Sequence, residues 1–493
     1  MLGRATPLWA LLVLGAAGCS SAHPAPAPTT PSPRTDAGSF DPGSPESPSG
    51  PFRAAEEGSP VNNSTTAFPS TYQPIPSDPV FIRNATVMTA AGPTMEHASV
   101  LLRDGKIAAV GTDLTAPEDA TVVDGTGKWV TPGFIDVHSH LGVYPAPGVE
   151  ALADGNELTN PNTAQVWAEH SIWPQDPQFG LALAGGVTTI EILPGSGNLF
   201  GGRGVVVRNV SSRTVQGMKF PGASYALKMA CGENPKRFYG EKGRAPSTEM
   251  GNMAGYREGW IAAQEYKRKW DEWRESGADP AKMPHRDLQL ETLMSVLDGQ
   301  TRVQMHCYRA DEMAQIIDLS HEFGYKVAAF HHAVEAYKVR DLLKQEGICA
   351  AMWYDDWDFK MEAYDGIRQN IALVAEDGGC AVLHTDDPDY IQRMNQDAAK
   401  SLEAGLEAGI QLDRDDAITW ITINPAKALG IDDQTGSLVA GKRADVVVWS
   451  GDPFSVYSKA EKVYLDGALL FDRESGLRPV SDFMLGQRRG GVR

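Results

Sequence analysis

The sequence predicts an α/β protein, a (β/α)8 TIM-like barrel with a small β-rich domain contributed by both ends of the chain. Three observations predict it. The middle of the chain alternates apolar runs with amphipathic stretches, as parallel βα units do. The two ends instead carry short strands and tight turns. Metal-capable residues recur at the C-terminal ends of the middle strands, where a barrel gathers its active-site groups.

The elements follow in chain order. The chain has 493 residues, 42% of them apolar, enough for a large barrel and a satellite domain. It opens MLGRATPLWALLVLGAAGCSS, in which Arg4 precedes an apolar run from Leu8 to Gly18. That run is too short to span a bilayer as a mature helix. Residues 1–19 resemble a bacterial lipoprotein signal ending at Cys19, with Ala16 where such signals usually carry leucine. Ordinary secretory cleavage nearby is the alternative. A lipid on Cys19 would tie the protein to the membrane at the bacterial cell envelope; otherwise it would be periplasmic. Residues 20–78 are rich in Pro, Ser, Ala, Thr and Gly and cannot bury enough apolar surface to order themselves, so they read as a linker. The β-rich domain then takes 79–130, with a hairpin signal at Asp104-Gly105, and 431–475, with 476–493 as a tail.

The barrel occupies 131–430. Its strands read as FIDVHSH, GVTTIEILP, YALKMAC, RVQMHC, KVAAFHH, ICAAMW and CAVLHTDD, with an eighth near Gly204–Arg208. Helical stretches such as DEMAQIIDLSHEFG lie between several of them. A doubly wound open sheet is the structural alternative. The helix around Trp260–Trp273 reads as packing or a lid. Cys231, Cys307, Cys349 and Cys380 lie in or at the end of apolar strand-like runs, with no C-x-x-C, and read as small buried hydrophobes and not as a disulfide framework.

The net charge of −19, from 44 basic and 63 acidic residues, argues against a nucleic-acid partner, whose phosphates need clustered Lys and Arg. A small-molecule substrate is expected instead. No G-x-S-x-G or H-E-x-x-H motif is present.

The chemistry starts at FIDVHSH. Alternate strand residues share a face, so His138 and His140 project together. Further strand ends supply Lys228, His306, His331/His332 and Asp386. Imidazole and carboxylate with an open position suit Zn2+, and also Mn2+ or Fe2+. Such an ion brings the pKa of bound water toward neutrality. Asp386 would then take a proton as general base and return it as general acid. Asp387 is better placed as a helix cap. Tyr308 and Arg309 follow His306, and Arg203 ends the Gly-rich stretch PGSGNLFGGRG; all three are candidate contacts to a substrate carboxylate. His331 and His384 read as groups that orient ligands, or as core histidines.

PGFIDVHSH, HTDDP (384–388) and TINPAKALGIDDQTGSLVAGKRADVVVW (422–449), in this order, resemble the amidohydrolase superfamily, in its imidazolonepropionase-like branch. The resemblance covers about 79–475. It implies a metal-bearing distorted barrel with a composite β-sandwich built from both chain ends. It also implies His138, His140, His306, His332 and Asp386 as metal ligands. The usual Glu-His-Gly is here His331-His332-Ala333, so His331 stays an alternative to His332. Lys228 stands where many relatives carry a carboxylated lysine bridging two metals; Glu233 as bridge, or a single-metal site, are the alternatives. The implied activity is metal-dependent hydrolysis of a C–N bond in an amide, cyclic amide or dipeptide-like substrate. A single-metal deaminase and a non-catalytic binding protein are the rival readings.

Overall fold

The structure, a computed structural model, describes residues 68–355 and 359–477. The signal-like segment, the linker up to 67 and the tail beyond 477 lie outside the described residues. Five strands open the described chain: β1 (Val80–Val87), β2 (Met95–Arg103), β3 (Lys106–Gly111), β4 (Thr121–Asp124) and β5 (Trp129–Pro132). The next eight are β6 (Phe134–Ser139), β7 (Val187–Ile192), β8 (Phe200–Arg208), β9 (Ala226–Ala230), β10 (Arg302–His306), β11 (Val327–His331), β12 (Cys349–Met352) and β13 (Cys380–Leu383). Three more follow: β14 (Val446–Trp449), β15 (Ala460–Leu465) and β16 (Ala468–Asp472).

The middle eight form one sheet in the order β13-β12-β11-β10-β9-β8-β7-β6, a nearly closed barrel. Strands β6, β7 and β9 are buried along their whole length, as expected where helices cover one face and barrel side chains the other. The helix Ala310–Phe323 links β10 to β11 and stops at Gly324, whose φ of 74° suits glycine. The helix Glu249–Glu275 buries Tyr256, Trp260, Trp270 and Trp273, so its aromatics are packing.

One strand departs from the expected barrel. The GVVVR strand exists, but β8 runs antiparallel to both β7 and β9. The link 193–199 is too short for the crossover that a parallel neighbour needs, so the chain turns back as a hairpin. The reversal places Arg208 opposite Thr189, near the start of β7 and away from the mouth.

The strands from the two chain ends share a second sheet, ordered β16-β15-β14-β5-β1-β2-β3, with β4 against β1. The β2–β3 hairpin turns at Asp104 (φ 52°) and Gly105 (φ 73°), as the Asp-Gly pair predicted. Phe134 of the barrel stacks on Trp449 of this sheet at 5.2 Å between ring centroids. Beside that contact, buried Arg208 donates two bonds to the carboxylate of Asp445, one at 2.7 Å. Thr435 also donates to Asp445, at 2.7 Å, and Tyr72 to neighbouring Asp466, at 2.6 Å. Among the described residues no helix is long and apolar enough to cross a membrane.

The cysteines overturn the expectation of free buried thiols. Cys231 pairs with Cys307, and Cys349 with Cys380, as two disulfides. The spacings of 76 and 31 carry no local motif. Only the ladder shows the pairing: Cys349 and Cys380 lie directly opposite in β12 and β13, and Cys231 and Cys307 each sit one residue beyond the facing ends of β9 and β10.

Candidate metal centre

The parallel strands bring the predicted donors to one place. His138 Nε2 lies 3.4 Å from Asp386 Oδ1, and His140 Nε2 lies 3.2 Å from the same oxygen. His332 Nε2 approaches the other oxygen of Asp386 at 3.6 Å. Lys228 Nζ is 3.3 Å from His138 Nε2 and donates to the Pro194 carbonyl at 3.1 Å. His306 packs edge-on against His332, with ring centroids 4.8 Å apart. Donor atoms of His138, His140 and Asp386 all fall within 4.8 Å of one another.

Backbone geometry helps to aim this set. His332 (φ 55°) and Asp386 (φ 58°) both adopt the left-handed conformation, which costs a non-glycine residue about 1–3 kcal/mol. Each residue directly follows or closely follows its strand, where the turn swings the side chain over the barrel mouth. The mouth side of Asp386 stays 26% exposed, whereas His138 is fully buried.

Burial and neighbouring charge set the protonation. Burial, reinforced by Lys228, drives the His138 imidazole well below the usual histidine range. Burial first, then neighbouring cations and imidazoles, does the same at His306 and His332. These rings are therefore neutral, the state in which an imidazole offers a lone pair to a cation. Burial pushes Lys228 down to about 8, against the pull of Asp386 and Glu191. Burial raises Asp386, but nearby His140, His384 and Lys228 outweigh it and hold the carboxyl below its ordinary value.

The hydrogen-bond accounting is lopsided. Nδ1 of His306, His332 and His384 and Oδ1 of Asp386 are buried with no hydrogen-bond partner. Ring nitrogens and a carboxylate oxygen thus converge in one pocket without hydrogen-bond partners. That donor chemistry fits a divalent cation, and the residues placed to hold one are His138, His140, Asp386 and Lys228, with His306 and His332 beside them.

Other expectations resolve differently. His331 turns away from Asp386: its Nδ1 meets His138 Nδ1 at 2.9 Å and its Nε2 meets Gln304 Oε1 at 2.8 Å. It stands behind His138 instead of joining the ligands. Glu233 is drawn toward Lys360, at 3.9 Å, and its backbone N–H donates to Glu362. Arg203 does not face the mouth. In β8 its neighbour Gly202 pairs with inward-pointing Lys228, so Arg203 projects from the opposite face. It is buried there over the Trp167 ring at 4.2 Å and donates to Thr292 at 2.9 Å. The reason is that the Gly-rich stretch is half strand, not loop.

Tyr308 is buried beside His306 and stacks near His332. Arg309 is half exposed at the start of the helix Ala310–Phe323 and pairs with Asp311 through two bonds of 3.0 and 3.1 Å. Asp387 accepts from the backbone N–H groups of Asp389 and Tyr390, closing a turn and not capping a helix as expected: the next helix, Ile391–Arg393, has Tyr390 at its cap position.

Sequence reasoning missed several groups. Asp136, within the HxH motif itself, is fully buried, accepts from the His138 backbone and from Thr385, and is raised by burial to about 7. Glu191 is raised by burial to about 8. An acid inside the apolar run TTIEI was a readable signal. Lys360 gave none: its Nζ lies 4.0 Å over Tyr308 and donates to Asn234, which contacts His306 at 3.4 Å.

Comparison with known proteins agrees with this geometry. The family model described as "Amidohydrolase family" matches residues 129–470. The amidohydrolase tasK of Hapsidospora irregularis is 32% identical over 431 residues, covering 80% of this chain and 43% of that protein. The chain thus spans less than half the length of this relative. The imidazolonepropionase of Shewanella oneidensis is 26% identical over 379 residues, covering 72% of this chain and 86% of its own length. A solved amidohydrolase from Thermotoga maritima superposes with a TM-score of 0.74 at 36% identity, covering 80% of this chain and all of that one. Family match, fold and converging donors lead to one conclusion: the chain belongs to the amidohydrolase family, whose members are hydrolases acting on C–N bonds.

Proposed function

We propose that the chain hydrolyses the C–N bond of an amide, cyclic amide or dipeptide-like small molecule, with divalent metal held by His138, His140, His306, His332 and Asp386. The observation that carries this reading is the convergence of His138, His140 and His332 on Asp386, whose Oδ1 is buried without a hydrogen-bond partner. A cation bound there supplies two things, activation of water near neutral pH and polarisation of the scissile carbonyl. The chain's own residues do the rest. Asp386, kept ionised, accepts the proton from the attacking water and delivers it to the leaving nitrogen. Its partial exposure at the mouth gives it access to substrate. Lys228, buried and lowered to about 8, has a neutral amine available at working pH, the form that can become a carbamate and bridge two ions. Two Zn2+ ions fit that role best. Tyr308 forms an aromatic wall beside His332, and Arg309 and Lys360 supply the positive charge at that rim for a substrate carboxylate.

The small sheet is read as the family's composite β-sandwich domain, with the barrel over 131–430. The N-terminal segment is read as an export signal with a lipid anchor. The two disulfides support that placement, since such bonds persist outside the reducing cytosol.

The test is metal analysis of the purified chain, then a screen of dipeptides, N-acyl amino acids and cyclic amides before and after chelation. The reading expects activity that chelation abolishes and Zn2+ restores, and two ions per chain. Activity indifferent to chelators would overturn it; one ion with ammonia release from an amino-heterocycle would favour deamination.

A further inference from the structure

The hydrogen bonds behind His138 have a direction. We propose that His331, Gln304 and Glu191 form a relay that fixes which nitrogen of His138 faces the cation. The proposal rests on the metal-centre reading and extends it inward.

An imidazole binds a cation through a bare ring nitrogen and carries its hydrogen on the other. His140 meets this demand simply. Its Nδ1 lies 2.8 Å from the Leu193 carbonyl oxygen, which only accepts, so Nδ1 carries the hydrogen and Nε2 is bare toward Asp386. For His138 the partner is a second imidazole. The two Nδ1 atoms are 2.9 Å apart, so one donates and the pair alone does not say which.

The far side of His331 decides. Its Nε2 lies 2.8 Å from Gln304 Oε1, and a carbonyl oxygen has no hydrogen to give. His331 Nε2 therefore donates. A neutral imidazole has one N–H, so His331 Nδ1 is bare and accepts from His138 Nδ1–H. His138 Nε2 is left bare, pointing at Lys228 Nζ and Asp386 Oδ1. Both rings are fully buried, with His138 Nε2 turned to the mouth and His331 Nε2 to Gln304.

Both tautomers reverse if the Gln304 amide turns over, so something must hold it. Glu191 is placed to do so. Gln304 Nε2 and Glu191 Oε2 are buried and otherwise without partners. The Gln304 amide pulls the Glu191 carboxyl down against the burial that raises it to about 8, as an N–H turned toward the acid does. With the amide turned, its oxygen would take the place of that N–H beside the acid. His331, Gln304 and Glu191 are positioning residues, acting on the cation only through His138. They also account for the second histidine in His331-His332.

The experiment measures Zn2+ affinity of the full chain by competition with a chromophoric chelator, and the visible absorption of the Co2+-substituted protein. Gln304→Leu removes the acceptor, and Zn2+ should bind about 10–100-fold more weakly, with a changed Co2+ spectrum. The paired change Glu191→Gln with Gln304→Glu keeps the direction and moves the charge by one link; it should restore most of the affinity and the wild-type spectrum. Wild-type affinity in Gln304→Leu, or a folded paired variant as weak as Gln304→Leu, would overturn the relay. Nitrogen NMR of histidine-labelled, metal-free wild type needs no variant: hydrogen on His138 Nδ1 and His331 Nε2 supports the relay, and the opposite tautomers refute it. Failure of wild type to bind any divalent cation would instead sink the metal-centre reading.

Discussion

Two buried polar clusters in this molecule treat charge in opposite ways. Where the barrel meets the small sheet, Arg208 is matched by Asp445, and Asp445 is further satisfied by Thr435 and the Asp466 backbone. Opposite charges meet there and both Asp445 oxygens find hydrogens, with Arg208 Nε left over. At the mouth, His138, His140 and His332 crowd ring nitrogens around Asp386, whose Oδ1 is buried without a hydrogen-bond partner. Burying an unmatched carboxylate oxygen costs free energy, and folding alone gives no reason for it. The junction neutralises its charge within the fold, whereas the mouth, on the proposed reading, does so with a cation.

The largest expected effect is at the mouth. Asp386→Asn should lower kcat by about 10²–10⁴-fold, the range of a general acid–base group, while circular dichroism reports an intact fold. At the junction the same kind of change should do the reverse. Asp445→Asn leaves the buried Arg208 guanidinium with the 3.4 Å contact to Asp466 as its remaining charge partner, and thermal or denaturant unfolding should show a loss of up to about 3–5 kcal/mol, with activity per folded molecule retained. If Asp445→Asn abolished activity without loss of stability, the contrast between the regions would fail.

Acidification should separate the clusters by pH. The buried imidazoles of the metal-free chain titrate well below their unfolded value of about 6.5. The unfolded chain then binds protons that the folded chain refuses, so stability falls as pH drops below about 6.5. Asp445 is depressed: burial raises it, but Arg208 more than reverses this. Its contribution is present above the unfolded carboxylate value, about 3.9, and is lost as pH falls below that through the folded value. Unfolding midpoints of metal-free protein across pH 3–8 should show both regimes, and Asp445→Asn should shrink the lower one and leave the upper unchanged. The smallest effect is at the rim. Tyr308→Phe or Arg309→Met should raise KM by about tenfold for carboxylate-bearing substrates, with a smaller change for neutral amides. Equal losses for both substrates would remove these residues from carboxylate binding.

Much of this was legible in the sequence because strand ends have a fixed meaning. Period-two spacing put His138 and His140 on one face, and the alternation of strands with helices put Lys228, His306, His332 and Asp386 at the same mouth. What stayed hidden depended on pairing between distant strands. The direction of β8 followed from the short link before it, and with it the outward turn of Arg203. The disulfides followed from ladder register. Lys360, from a loop, and Asn234, from the first turn of the helix Glu233–Gly240, meet beside His306 through a pairing for which periodicity gives no rule.

The most direct measurement is equilibrium dialysis of the full metal-free chain against Zn2+, beside His138→Ala and Asp386→Asn. Wild type should take up two ions per chain tightly, and each variant should lose at least one. A wild type that takes up none, or variants that bind as wild type does, would mean that the crowded lone pairs at the mouth serve some other end.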